Sequence, residues 1–327
     1  MPPEKAHYFT MNMLQFFANL GILGIFVNAV KKEKPTVVCG LNFPNKVGLA
    51  AGFDKNAAYL DVFSKLGFGH VEVGTVTPLA QEGNPKPRLF RLPKDQALIN
   101  RMGFNNDGVD AMVERLKVRP KNLIVGGNIG KNKVTPNEKA VDDYLICLEK
   151  LFLHVDYFTV NISSPNTPGL RELQEKEPLQ ALLHGVISRR NQLQIAHQIT
   201  KPIFLKIAPD LFPEQIKEIA EIVVATQTDG VVISNTTIDR SNLATDSLTV
   251  EDIGAGGLSG APVKAKSNDA LLHLKKHLPK HIPIIGVGGI MHKKDGAEKL
   301  DLGADLIQIY TGFVYKGIGL VKALAKL

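Results

Sequence analysis

A (β/α)8 barrel with a small helical segment at its amino end is the fold this sequence predicts, and three observations predict it. The length of 327 residues suits one such barrel, which takes about 250 residues plus insertions. Eight short apolar runs alternate with amphipathic helical patterns, the mark of repeated βαβ units and a parallel sheet. No Gly-x-Gly-x-x-Gly opens the first helix, as an open dinucleotide-binding sheet would require.

The amino-terminal segment comes first. From Tyr8 to Val30 no residue is charged, and one continuous helix of that length, rising about 1.5 Å per residue, could just cross a bilayer. Asn12, Gln15 and Asn19 nevertheless fall at spacings of three and four on one helical face, with Met13, Phe16, Phe17 and Leu20 on the remainder. Gly21 and Gly24 invite a break. The pattern predicts two short helices lying in a membrane interface, followed by Lys31, Lys32 and Lys34 placed to meet lipid phosphates. The competing reading is a helical pair packed on the barrel as ordinary core. A secretory signal is disfavoured, because no basic cluster precedes the apolar stretch and no small-residue cleavage site follows it. Residues 1–34 are thus set apart from a barrel of residues 35–327.

The eight runs cover residues 46–50, 71–76, 123–128, 157–162, 203–207, 230–234, 282–287 and 306–310. Each carries Gly, Asn, Ser, Thr or Lys at its end or within two residues of it. Active sites of such barrels occupy the carboxyl ends of the strands. Ala51-Gly52-Phe53-Asp54-Lys55, Gly74-Thr75, Asn128, Asn161, Lys206, Ser234-Asn235-Thr236, Gly288-Gly289 and Tyr310-Thr311 are therefore expected to converge on one rim. A lone Asn or Gly at a strand end is ordinary turn chemistry; eight agreeing strand ends point to a site.

Composition narrows what that site holds. Hydrophobic content of 44% and charged content of 22% describe a soluble α/β enzyme rather than a disordered or fibrous chain. Two cysteines, Cys39 and Cys147, form neither a disulfide framework nor a metal cluster. The formal charge of +7 suits nucleic acid, anionic lipid or an acidic small molecule equally. The rim offers amides, hydroxyls and two lysines but no His and carboxylate cluster, which implies an organic cofactor and no metal. Gly260, Gly288, Gly289, Tyr310 and Thr311 occupy the position after the late strands where such barrels hold phosphate. Lys206, costly to bury without an anion, fits an electron-accepting ring that turns negative on reduction. Flavin mononucleotide (FMN) combines those features.

Four asparagines, Asn100, Asn161, Asn166 and Asn235, offer the donors and acceptors that a planar substrate with ring amides and carbonyls needs, and Lys55 supplies a cation for a carboxylate. At these residues the sequence resembles the dihydroorotate dehydrogenase family, from about Pro3 to the carboxyl end. The matching motifs are Ala51-Gly52-Phe53-Asp54-Lys55, Asn100-Arg101-Met102-Gly103-Phe104, Asn161-Ile162-Ser163-Ser164-Pro165-Asn166-Thr167-Pro168-Gly169, Lys206-Ile207-Ala208-Pro209-Asp210 and Gly256-Gly257-Leu258-Ser259-Gly260.

The resemblance implies oxidation of dihydroorotate to orotate for pyrimidine (UMP) biosynthesis. A base removes the C5 proton while a hydride passes from C6 to flavin N5. Ser164 matches the base; the soluble members place Cys there, so serine points to the quinone-dependent class 2 type, reoxidised by ubiquinone or menaquinone. The same resemblance assigns FMN to Ala51, Gly52, Phe53, Asp54, Lys55, Thr75, Asn128, Asn161, Lys206, Ser234, Gly260, Gly289, Tyr310 and Thr311. It assigns orotate to Lys55, Asn100, Arg101, Met102, Gly103, Phe104, Asn161, Asn166, Asn235 and Thr236. His7 and Arg91 are expected at the quinone entrance, and Thr167 and Phe104 beside the serine. A free serine is a poor base and must be activated by a hydrogen-bond network or a water relay.

Two rival readings fit less well. A tRNA-dihydrouridine synthase would share scaffold and FMN and explain the basic charge, but needs a cysteine acid near the flavin, and neither Cys39 nor Cys147 falls on a strand-end loop. It also needs an RNA-binding extension, for which no helical domain remains after the eighth run. A peripheral membrane scaffold leaves the convergent rim unexplained. No Arg-rich, acid-poor transit peptide is visible, so peripheral attachment to the cytoplasmic face of a bacterial inner membrane is expected, with the mitochondrial inner membrane as the alternative.

Overall fold

The structure, a computed structural model, describes residues 1–23 and 35–327. The second amino-terminal helix expected beyond Gly24, and Lys31, Lys32 and Lys34, lie outside the described residues. Helix α1 spans Pro3–Asn19 and starts earlier than the charge-free stretch, with proline in its first turn, where a missing N–H costs nothing. It stops before Gly21, whose φ of +73° is left-handed.

Thirteen strands are described. β1 (Thr36–Val38) and β2 (Leu41–Phe43) form an antiparallel hairpin. β3 (Val47–Leu49), β4 (His70–Val76), β7 (Ile124–Ile129), β8 (Tyr157–Asn161), β9 (Ile203–Ile207), β10 (Gly230–Ile233), β12 (Ile284–Val287) and β13 (Leu306–Ile309) close in that order into a parallel barrel. These are the eight predicted runs, each within two residues of its expected bounds. β5 (Leu89–Leu92), β6 (Ala97–Asn100) and β11 (Gly257–Gly260) form a separate antiparallel sheet in the order β11-β6-β5. The sequence reading did not foresee this sheet, since its strands are only four residues long.

The lowest layer of the lumen alternates glycine and aromatic rings. Gly48 is the register partner of His70, Gly126 of Tyr157 and Gly230 of Phe204. A Cβ added at Gly126 would lie 2.2 Å from the Tyr157 ring, and one at Gly48 would lie 2.1 Å from the His70 imidazole. Each glycine makes room for the ring beside it, the small-beside-large filling of a closed barrel. Phe43 of the hairpin packs edge-on against His70 with ring centroids 5.3 Å apart and plugs this end.

Gly126→Ala should therefore force Tyr157 off its rotamer and destabilise the protein by about 1–3 kcal/mol. Gly319→Ala, in the last helix, where an added Cβ meets nothing within 4 Å, should be neutral or slightly stabilising. Urea denaturation of the two variants measures the difference; equal effects would contradict this packing.

Candidate active site

Strand periodicity places the site. Residues two apart share a face, so above His70, Tyr157 and Phe204 the same lumen faces present Glu72, Thr159 and Lys206. Glu72 has no exposed surface, and four donors converge on it. Asn128 Nδ2 donates to it at 2.7 Å, Gln308 Nε2 at 2.9 Å and Thr159 Oγ1 at 3.1 Å. Lys206 Nζ stands 3.5 Å from the carboxylate. Burial drives the His70 imidazole down to about 4, so a neutral ring lies beneath the pair. Glu72 is the resident anion that a buried Lys206 requires. Its signal, a carboxylate inside the apolar run Val71-Glu72-Val73, was present and unused.

Two residues further along β8, Asn161 reaches the strand end. Its Nδ2 donates to Thr75 Oγ1 at 2.8 Å and to Asn128 Oδ1 at 3.2 Å, and its Oδ1 accepts from Ser163 Oγ at 2.8 Å. Asn235 Nδ2 donates to that same Ser163 hydroxyl at 2.8 Å, and Asn166 Nδ2 donates to Asn100 Oδ1 at 3.2 Å. The expected carboxamides thus form connected pairs across three loops, with Ser163 as a link that the sequence reading passed over.

A cavity of about 1020 Å³, counted to its mouth, opens above this layer. Ala51, Gly52, Lys55, Thr75, Asn161, Lys206, Ser234, Gly260, Gly289, Tyr310 and Thr311 border it among the expected cofactor residues. Asn100, Met102, Gly103, Phe104, Asn166, Asn235, Thr236 and Ser164 border it as well. Among the described residues its wall carries two lysines and no carboxylate.

Four of the expected cofactor and substrate residues do not border the cavity, and Arg91, expected at the quinone entrance, lies against the amino terminus. Asp54 is buried behind the wall, where its carboxylate accepts the Ala58 and Tyr59 amides at 2.9 Å each and shapes the loop after β3. Phe53 packs edge-on with His7 at 4.8 Å and Tyr310 at 5.3 Å. Asn128 lies one layer down, on Glu72. Arg101 turns away, lying 4.7 Å over the Phe90 ring and donating to the Ile253 and Pro87 carbonyls. Arg91 is exposed and donates to the Met1 carbonyl at 3.2 Å. The arginine buried against α1 is instead Arg88, which pairs with Glu4 at 2.7 Å.

The pieces fit a flavin nucleotide. Gly288 and Gly289 have φ of +110° and +75°, and a Cβ on Gly289 would lie 2.3 Å from Lys264 Cα. Backbone alone can form that wall, and the Thr311–Leu324 helix begins beside it. Two polar atoms of cavity-lining residues, Thr236 Oγ1 and Gln308 Oε1, are buried with no hydrogen-bond partner among the described residues.

A (β/α)8 barrel with a cationic, carboxamide-rich rim cavity defines the class of barrel enzymes that hold an organic cofactor beside a small substrate. The family model for dihydroorotate dehydrogenase matches residues 34–326, and the chain belongs to that family. It is 51% identical over 323 residues to a dihydroorotate dehydrogenase (quinone) of Neisseria meningitidis, covering 99% of this chain and 95% of that protein. It is 51% identical over 324 residues to one of Christiangramia forsetii, covering 98% and 93%. The crystal structure of DHODH from Eimeria tenella in complex with ferulenol superposes with a TM-score of 0.88 at 36% identity, covering 99% and 89%.

Replacing Glu72 by Gln leaves the Lys206 ammonium buried without its counter-ion. A loss of about 3–5 kcal/mol is expected in denaturant unfolding of the cofactor-depleted protein. A change below about 1 kcal/mol would mean that the pair is not the support described here.

Proposed function

We propose that this chain oxidises dihydroorotate to orotate with a bound FMN and passes the electrons to a membrane quinone, in de novo pyrimidine synthesis. The family is flavin-dependent. The observation that carries the reading is the meeting of Ser164, Lys55 and four carboxamides in one acid-free cavity with a glycine cradle. When bound, FMN supplies the hydride acceptor. Gly260, Gly289, Tyr310 and Thr311 hold its phosphate end, and Ala51, Gly52, Thr75, Asn161, Lys206 and Ser234 its ring. Phe53, Asp54 and Asn128 support those contacts from behind.

Lys55 receives the substrate carboxylate, and Asn100, Asn161, Asn166, Asn235 and Thr236 its ring edges. Met102, Gly103 and Phe104 cover it. Ser164 takes the C5 proton as the C6 hydride departs. Its Oγ accepts the Asn166 amide at 3.2 Å, and the side chain is 6% exposed. Among the described residues no carboxylate, imidazole or lysine hydrogen-bonds to it. We assign its activation to a relay through water with Thr167 as the partner, whose hydroxyl is buried and has no hydrogen-bond partner among the described residues.

Residues 1–34 serve quinone access and membrane attachment, and residues 35–327 form the catalytic barrel. One stripe of α1, Phe9, Met13 and Phe16, continued by Leu20 just past its end, is exposed, Phe9 by 61% and Phe16 by 59%. The opposite stripe meets the barrel through Met11, Leu14 and Ala18. No described helix is long and apolar enough to cross a membrane. An apolar stripe on a helix seated against a barrel suits peripheral attachment, on the cytoplasmic face of a bacterial inner membrane or on the mitochondrial inner membrane. His7, held neutral by burial with a pKa down to about 4, and Arg88 line the passage toward Phe53 and Tyr310, with Arg91 at its outer edge.

Anaerobic mixing with dihydroorotate should bleach the flavin, and a ubiquinone analogue, not fumarate, should restore its colour. Absence of bleaching sinks the substrate assignment; reoxidation by fumarate sinks the acceptor. Ser164→Ala should slow reduction by 10²-fold or more, roughly the worth of general base catalysis, and leave reoxidation intact. Equal loss in both half-reactions would remove Ser164 as the base.

Burial lowers Lys55 to about 8, opposed by Glu4 and reinforced by Arg88. The protonated form binds the carboxylate, so orotate affinity should be level below about pH 7.5 and fall by up to about tenfold per unit above 8, with proton uptake on binding. Calorimetry in buffers of different ionisation enthalpy measures this. Constant affinity to about pH 9 without proton uptake would contradict the role of Lys55.

A further inference from the structure

Lys299 lies on the helix Lys293–Asp301 and is 1% exposed, deep among the helices outside the barrel. Its Nζ donates to Ser267 Oγ at 2.9 Å and to Asn268 Oδ1 at 2.8 Å, both neutral oxygens. Ser267 Oγ in turn donates to the Val287 carbonyl at 2.6 Å. Val287 is the last residue of β12 and borders the cavity, directly before Gly288 and Gly289. A Cβ added at Gly286 would lie 3.1 Å from Lys299 Cδ, and one at Gly288 would lie 3.0 Å from Ser267 Oγ. The ammonium group therefore stands one serine behind the cradle.

The nearby carboxylates are engaged by another cation. Asp295 and Glu298 each lie 2.7 Å from Lys264. Asp295 also accepts the Met291 and His292 amides, and Glu298 accepts from Asn268. A leucine or methionine at position 299 would fill the same space without burying a charge.

We infer that Lys299 is a positioning residue whose buried charge acts through Ser267 and the Val287–Gly289 backbone to favour a phosphate dianion in the cradle. An anion across that thin wall offsets the cost of burying the ammonium, and the low-dielectric interior between them screens the attraction weakly. Burial lowers the Lys299 pKa to about 7 in the protein without ligand, consistent with a cation awaiting its counter-charge. The inference rests on the FMN reading of the cavity and deepens it, because it concerns the phosphate alone.

The test compares FMN with riboflavin, which has the same ring system and no phosphate. FMN release from diluted holoenzyme is followed by flavin fluorescence, and riboflavin is titrated into the deflavinated full chain. Lys299→Met should raise the FMN Kd about tenfold or more, the scale of one unit charge at this depth, and leave the riboflavin Kd unchanged. Lys299→Arg, which keeps the charge, should stay near wild type with both ligands. Equal weakening of both flavins by Lys299→Met, or an unchanged FMN Kd, would overturn the inference. If the methionine variant does not fold, Lys299→Gln stands in for it under the same criteria. A wild-type protein that purifies without flavin would sink the proposed function instead.

Discussion

A carboxylate with no exposed surface survives inside a barrel only when enough donors replace its water, and Glu72 has four. That requirement orders the lumen. Below Glu72 lie rings and glycines, beside it Thr159, Asn128 and the ammonium of Lys206, and above it the carboxamide of Asn161, each fixed partly by what it gives to Glu72 or to a neighbour in the same network. The cavity floor is consequently hydrogen-bonded within the protein before any ligand arrives. Such preorganised polarity is the usual source of catalytic advantage in a site that excludes water.

The amino-terminal helix brings a second set of constraints to the same rim. Two apolar stripes, offset by two residues, make one face of α1 part of the core and leave the other exposed. On the inward face Glu4 reaches Arg88, and both charges act on Lys55. Lys55 and the amino-terminal helix are thus electrostatically linked. His7 and Tyr310 both pack edge-on against Phe53, so an apolar aromatic path leads from α1 to the cavity wall.

The barrel was legible in the sequence because buried parallel strands are continuous apolar runs, and strand ends carrying Asn, Ser, Lys and Gly announce a functional rim. What the sequence hid has physical reasons. Strands of four residues such as Leu89–Leu92 and Gly257–Gly260 are too short to show alternation. The hydrogen bonds of Asp54 to the Ala58 and Tyr59 amides and of Asn128 to Glu72 join residues distant in sequence or set by a loop, and residue type alone does not announce them. Arg88 and Arg91 differ by three positions, and only the pairing of Arg88 with Glu4, 84 residues away, separates the buried arginine from the exposed one. Glu72 was overlooked because one charge in an apolar run reads as an exception until its donors, drawn from four other strands, are seen together.

The most direct measurement is the midpoint potential of the bound flavin in wild type and in Glu72→Gln. If Glu72 neutralises Lys206 beneath an electron-accepting ring, the variant leaves an uncompensated cation there, and the reduced, more negative flavin is favoured. The expected result is a positive shift of about 30 mV or more, equivalent to roughly 1.4 kcal/mol for a two-electron couple. An unchanged or more negative potential would contradict the place given to this ion pair.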